Sequence, residues 1–431
     1  MIRYSTLIIE EYLKKRFDKK TLHGLKNVSY LTMGQILSQV ISFIGMAIIV
    51  RKLGSEKYGV LTTVIVFVGL FSLLNLQGTG RVLVREGSKS LGELHRYIED
   101  LITLKNLFAI ISISVTCIAA YFIKSYSFQV KIFIVIYSLT HIFEIYSSFF
   151  SSVYQASQKM KYISIFSVFK SLLYTIFGAT AVYYGSGILT LILISIFSSL
   201  FILILSYRVT RSIVKFKLIR PLIWNKKILI PSVIFSVMEV LGFLSTRIDL
   251  LMISWMGTAT EVGLYAVAYK IADYMQMIRS QVSTSFLPIF VQRYEGGSVR
   301  LTRLLILSGL FFILVFLVSC VASFLSKDLI VFLFGKEFLK SGYILSVLIF
   351  YIAFGYCNLP FTLSMIATHN EKVMLIIDAT TAVMNVGLNY ILYSRFGVMG
   401  IAYSTLVSRG ISSLLGMAIT INMLKRQKKF I

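Results

Sequence analysis

Cysteine, histidine, tryptophan and acidic side chains are all scarce in this chain, and the scarcities remove whole classes of function. The three cysteines, Cys117, Cys320 and Cys357, each stand alone in an apolar run. They show neither disulfide nor zinc spacing, which excludes a disulfide scaffold and a thiolate metal centre. The four histidines are scattered without a ligand pair, and the chain has no phosphate-binding glycine loop and no nucleophile elbow. No metal site, no cofactor and no catalytic residues are therefore expected, and the chain reads as a non-enzyme. Charged residues make up only 14% of 431, too few to coat a water-soluble protein of this size.

What is abundant is apolar, at 57% of the chain. The apolar residues fall into runs close to the roughly 20 residues that a helix needs to cross the hydrocarbon core. Spans are expected at residues 29–50, 59–76, 101–123, 130–153, 163–184, 188–207, 229–256, 262–290, 301–325, 343–366, 373–393 and 398–424. The expected fold class is an all-α integral membrane protein with about 12 transmembrane helices. The run 329–334 is too brief to span and is expected to be interfacial or re-entrant.

Lys and Arg total 43 against 18 Asp and Glu, a net charge of +25. Starting from the first residue, alternate loops hold 28 of the 43 and the intervening loops only 9. This is the asymmetry that membrane insertion produces, so it places both termini in the cytoplasm and makes a nucleic-acid partner unnecessary. Residues 1–28 form a basic arm in which Ile8, Ile9, Tyr12, Leu13 and Phe17 recur at helical spacing, as in a helix lying among membrane lipid headgroups.

An internal repeat is visible. Arg51-Lys52-Leu53-Gly54 followed by Tyr58-Gly59-Val60-Leu61 is echoed about 204 residues later by Trp255-Met256-Gly257 followed by Val262-Gly263-Leu264-Tyr265. Gly185-Ser186-Gly187-Ile188 is echoed by Gly397-Val398-Met399-Gly400-Ile401 at a similar offset. The simplest organisation is a basic arm (1–28), a six-helix bundle (29–207), a basic linker (208–228), a second six-helix bundle (229–424) and a basic tail (425–431). An even number of spans in each half makes the repeat parallel, a design associated with transport.

Ionisable residues inside the expected spans are costly and mark functional interiors. Among them are Glu144, Lys170, Glu239, Arg247, Asp249, Lys270, Asp273, Arg279, Asp378 and Arg409. Arg247 and Asp249 point to nearly opposite sides of their helix, so each needs its own partner. Lys270 and Asp273, three apart, suit either a local pair or a substrate role. Asp249, Asp273, Glu144 and Asp378 are candidates for coupling to H⁺ or Na⁺.

Polar stripes run along four segments: Gln35, Ser38, Gln39 and Ser42; His141, Glu144, Ser148, Ser151 and Gln155; Ser164, Ser167, Ser171 and Tyr174; Asp378, Thr381, Asn385 and Asn389. For serines the expected role is hydrogen bonding between helices. For Gln35, Gln39, Asn385 and Asn389 it is the lining of a wet cavity.

Gly34-Gln35-Ile36, Arg51-Lys52-Leu53-Gly54 with Tyr58-Gly59, Gly78-Thr79-Gly80 and Arg85-Glu86 together resemble the polysaccharide-exporting branch of the multidrug/oligosaccharidyl-lipid/polysaccharide transporter superfamily. Arg247-Ile248-Asp249, Gly257, Val262-Gly263-Leu264-Tyr265, Ala268, Lys270, Pro288 and Phe334-Gly335 with Phe338 resemble it in the second half. The resemblance implies two six-helix bundles around a central cavity and alternating access. It also implies flipping of an undecaprenyl-pyrophosphate-linked oligosaccharide to the outer leaflet of a bacterial inner membrane, for O-antigen, capsule or exopolysaccharide. Arg247, Lys270, Arg279, Lys170, Arg409 and Arg85 are then expected to attract the pyrophosphate, and a polysaccharide polymerase and chain-length regulator are the expected partners. The alternatives are a multidrug cation antiporter of the same superfamily and a membrane glycosyltransferase or polymerase. Five acidic against five basic interior residues weigh mildly against the first, and short outward loops against the second.

Overall fold

A computed structural model describes residues 19–218, 226–295, 301–368 and 370–426. All regular structure among them is helical, as it must be where lipid offers the backbone no hydrogen bonds. The helices are α1 (Lys19–Ser72), α2 (Thr79–Gly87), α3 (Leu94–Phe122), α4 (Phe128–Ala156), α5 (Lys161–Tyr183), α6 (Ile188–Ile213), α7 (Lys226–Met256), α8 (Ala259–Glu295), α9 (Leu301–Phe334), α10 (Leu339–Cys357), α11 (Leu359–Ala367), α12 (Glu371–Phe396) and α13 (Val398–Arg426).

Ten stretches among the described residues are long and apolar enough to cross a membrane, and the chain is a multi-pass membrane protein. One of them, Ser29–Asn75, holds both of the first two expected spans. The eighth expected span lies on α8, where Lys270, Asp273 and Arg279 come too close together for a uniformly apolar stretch. Along α9, Leu307, Leu310, Leu314, Leu317, Val321 and Phe324 are exposed at helical spacing, a lipid-facing stripe.

Two expectations need correction. The run 329–334 is the last turn and a half of α9 rather than a separate re-entrant piece, because nothing before it breaks the helix. The expected tenth span divides at Asn358, where Pro360 opens α11 and cannot donate to the preceding turn. The basic arm at Ile8 to Phe17 lies outside the described residues.

The chain forms two compact units, Met1–Lys52 with Val68–Glu239, and Leu53–Phe67 with Val240–Ile431. The division falls within α1 and α7. In the first unit, Val82, Leu83, Ile98, Phe149, Phe150, Tyr154 and Ile202 form the centre of an apolar core. Tyr154 remains satisfied there by donating to the Ser206 carbonyl at 2.6 Å.

In the second unit Gly54 takes φ +80° and kinks α1. The kink frees the Ser55 amide, and the Glu337 carboxylate accepts from both the amide and the hydroxyl of Ser55 at 2.6 Å, as an anion does at a fresh helix N-terminus. Beyond the kink α1 meets α8 backbone to backbone: a Cβ on Gly59 would lie 1.7 Å from the Ala259 carbonyl oxygen. α8 itself starts with a reciprocal cap, Thr258 and Glu261 each accepting from the other's amide. The repeated glycine turns correspond in conformation, Gly185 and Gly397 both having positive φ between paired helices.

Candidate functional site

The second unit encloses a cavity of about 180 Å³ lined by Gln276 and Arg279 from α8, Tyr351 from α10, Asn358, Asp378 from α12, and Arg409, Ser412 and Ser413 from α13. Two guanidinium groups and one carboxylate give it a formal charge of +1. Arg279 is steadied by Gln276, its Nε donating to Oε1 at 2.7 Å, and Arg409 donates to the carbonyl of Ser245. Each Arg keeps further N–H groups, and planar forks of this kind match phosphate oxygens.

A second cluster lies in the same unit, where α7, α8, α12 and α13 pack. Asp249 is buried, and its carboxylate accepts from Asn389 Nδ2 at 2.8 Å and from the Tyr265 hydroxyl at 2.8 Å, with Thr405 Oγ1 at 2.7 Å. Asn389 also donates to Asn385 Oδ1 at 3.1 Å. These contacts are all neutral donors, and the buried Asn389 Oδ1 has no hydrogen-bond partner. A carboxylate and spare amide and hydroxyl oxygens are the donor set of a hard monovalent cation or a bound proton.

The first unit has its own polar groove, of about 290 Å³, lined by Glu144, Ser147, Ser148, Ser151, Ser167, Lys170, Ser199 and Ser206. Lys170 Nζ lies 2.5 Å from Glu144 Oε1, and His141 Nδ1 is 3.5 Å from Glu144 Oε2.

The six expected phosphate-binding cations therefore separate. Arg279 and Arg409 share the cavity with Asp378. Arg247 pairs with Asp273 at 2.9 Å and stacks over Tyr269. This corrects the local Lys270–Asp273 pair, since Arg247 on α7 reaches the carboxylate while Lys270 lies over the Tyr274 ring. Lys170 serves Glu144. Arg85 is itself exposed on α2, outside the spans, and is bound to Glu86 at 2.7 Å. Lys89 first, and Arg85 with it, hold the Glu86 carboxyl below its ordinary range. Glu239 pairs with Arg81 at 2.5 Å.

Gln35 is exposed and Gln39 half-buried on α1, whereas Asn385 and Asn389 are buried, Asn389 against Asp249 and Asn385 against Asn389, Ser404 and Ser408. The serine stripe of α1 binds α5 directly: Ser167 donates to Ser38 at 3.0 Å, Ser42 to Ser171 at 3.1 Å, and Ser164 to the Tyr30 carbonyl at 2.6 Å. Sequence reasoning missed Tyr265, Thr405, Gln276 and Lys105. Lys105, buried in α3, was discoverable as a lone lysine in an apolar run, but the others look like ordinary span residues until folding joins them.

A model of the family described as polysaccharide biosynthesis protein matches residues 24–294. The capsular polysaccharide biosynthesis protein CapF of Staphylococcus aureus is 23% identical over 400 residues, covering 89% of this chain and 96% of that protein. Among solved structures, the lipid II flippase MurJ in an inward closed conformation superimposes with a TM-score of 0.74 at 15% identity, over 92% of this chain and 87% of its own. An inward-facing multidrug resistance MATE transporter of the MOP superfamily gives 0.74 at 14% identity, over 94% and 99%. The shared fold is that of transporters, not of enzymes.

Proposed function

Because the chain belongs to the polysaccharide biosynthesis protein family, we propose that it flips an undecaprenyl-pyrophosphate-linked oligosaccharide from the cytoplasmic to the outer leaflet of a bacterial inner membrane, for a surface polysaccharide. The observation that carries this reading is the convergence of Arg279 and Arg409 on one enclosed cavity. A half-buried pair of cations repels an organic cation and attracts a pyrophosphate, which weighs against a multidrug antiporter. Both termini are cytoplasmic in this reading, and a polymerase and chain-length regulator receive the flipped product.

Transport proceeds by alternating access and is coupled to an ion at Asp249, where Asn385, Asn389, Tyr265 and Thr405 complete a buried polar shell. Na⁺ and H⁺ both suit a carboxylate beside an unused amide oxygen.

The test is leaflet assignment of the lipid-linked oligosaccharide in cells lacking and then regaining the protein, by access of an impermeant lectin. Accumulation on the cytoplasmic side, reversed by the wild-type chain but not by Arg279→Ala with Arg409→Ala, is expected. Each lost charge-assisted contact is worth about 1.5–3 kcal/mol, so each single variant should weaken headgroup binding by at least tenfold. Unchanged sidedness with altered drug export would instead establish the antiporter.

A further inference from the structure

The Glu144 groove of the first unit borders a second, enclosed space that the proposed transport reading does not use. It is a cavity of about 10 Å³ lined by Asn75, Ser112, Thr116, Ser138 and His141, the room needed by one water molecule. Both amide atoms of Asn75 and Nε2 of His141 are buried with no hydrogen-bond partner. Three unpaired polar atoms on the wall of a water-sized space point to a ligand that can both donate and accept. The other ring nitrogen of His141 faces Glu144 at 3.5 Å. His141 is thus the partition between the enclosed space and the open groove.

We propose that His141, with one enclosed water held by Asn75, is a proton-binding site that sets the charge of the Glu144–Lys170 groove. Both protonation states are satisfied by turning a single water. With the ring neutral, Nδ1–H donates to Glu144, Nε2 accepts from the water, and the water accepts from Asn75 Nδ2. With a proton added at Nε2, that nitrogen donates to the water, and the water donates to Asn75 Oδ1. The groove trio of His141, Glu144 and Lys170 then passes from net zero to +1, and His141 competes with Lys170 for one carboxylate. Histidine is the side chain whose ordinary range lets it change charge between about pH 5 and 8.

The other titratable groups around the site are few. Tyr137 on α4 feels the Glu144 charge and lies near Tyr174 of α5, and Lys170 is α5's cation. From α3, Lys105 approaches the Asn75 carbonyl at 3.5 Å and Thr79 Oγ1 at 3.1 Å, over the Phe149 ring. α6 supplies hydroxyls, Ser199 donating to Glu144 at 3.4 Å. The charges of α2 are engaged with Glu86 and Glu239. Glu144 is thus the carboxylate in contact with His141, and Lys170 is the cation that shares it.

The site is testable without any transport assay, so its failure and that of the flippase reading are separable. The full-length protein, labelled with ¹⁵N-histidine and reconstituted in lipid nanodiscs, has four imidazoles, and His141→Gln identifies the signal of interest. The expected result is one ring that gains a proton between about pH 5 and 8. Glu144→Gln should move that change to lower pH, and Asn75→Leu should shift the Nε2 resonance towards that of an unbonded nitrogen. A ring that stays neutral throughout overturns the proposal, as does a titration that Glu144→Gln leaves in place. If Glu144→Gln does not fold, Lys170→Gln gives the converse test, because a carboxylate left to His141 alone should move the change to higher pH.

Discussion

The α1–α5 seam of the first unit and the α7–α12 seam of the second, which the expected repeat would match, are held by different chemistry. The first is a ladder of hydroxyls, Ser38 with Ser167 and Ser42 with Ser171, closed tightly enough that a Cβ on Gly34 would stand 2.3 Å from that of Ser164. The second is centred on one buried carboxylate, Asp249, held by Asn389 with Tyr265 and Thr405 beside it. Hydroxyl pairs between membrane helices average about 0.6 kcal/mol, whereas a buried charge is tolerable only when surrounded by donors. The contrast teaches that a seam between membrane helices can be closed either by several weak hydroxyl pairs or by one buried charge with its own donors.

The largest effect that can break this contrast is expected at Asp249. Asp249→Leu removes the acceptor shared by Asn389, Tyr265 and Thr405 and leaves them only their contacts to Asn385, to the Ile401 carbonyl and to one another, at about 1–3 kcal/mol for each lost bond to the carboxylate. The summed loss should lower the unfolding temperature of the purified protein more than any serine substitution in the other seam. Asp249→Asn keeps the shape and removes the charge. It should fold, and the Na⁺ stabilisation that the proposed coupling site predicts for the wild type, followed in thermal unfolding, should vanish. Retention of that ion response in Asp249→Asn would place the coupling site elsewhere.

An intermediate effect belongs to the hydroxyl seam's close approach. Gly34→Val must push α1 from α5, because the nearest atoms include the Ser164 Cα at 2.8 Å and cannot rotate away. Overpacking of this kind costs about 1–3 kcal/mol. It also removes the Ser164 bond to the Tyr30 carbonyl. Unchanged thermal stability would mean that the seam opens readily and that its hydroxyls do not hold the helices together.

Much of this was legible in the chain before folding, for reasons that differ by residue. The spans, the serine stripe of α1 and the glycine turns at Gly185 and Gly397 express local rules of length, periodicity and backbone conformation. That Arg247 and Asp249 face apart followed from helical geometry, and their separate partners, Asp273 and the Asn389 cluster, bear it out. The identity of those partners was not legible, because Asp249 and Thr405 are joined across 156 positions and tyrosine or threonine in a span carries no periodic mark. Local reasoning offered Lys270 as one partner for Asp273, since i,i+3 proximity is visible in sequence while the reach of Arg247 from a neighbouring helix is not. Asn385 and Asn389 share the expected stripe but are buried: Asn389 holds the Asp249 carboxylate, and Asn385 bonds to Asn389, Ser404 and Ser408.

The smallest expected effect is the sharpest check on the contrast. Ser42→Ala and Ser171→Ala each remove one end of a 3.1 Å hydroxyl pair without leaving a charged group unpaired, so each should cost about 0.6 kcal/mol. The double variant should cost little more than either single one, because the second serine has already lost its partner; the coupling measured by the cycle is the bond itself. A coupling near 2 kcal/mol would show that the groove side of α5 draws this pair into a larger polar network reaching Lys170 and Glu144, and the two seams would then differ in degree rather than in kind. A coupling below about 1 kcal/mol leaves the hydroxyl seam as packing, and the buried carboxylate of Asp249 as what sets the other seam apart.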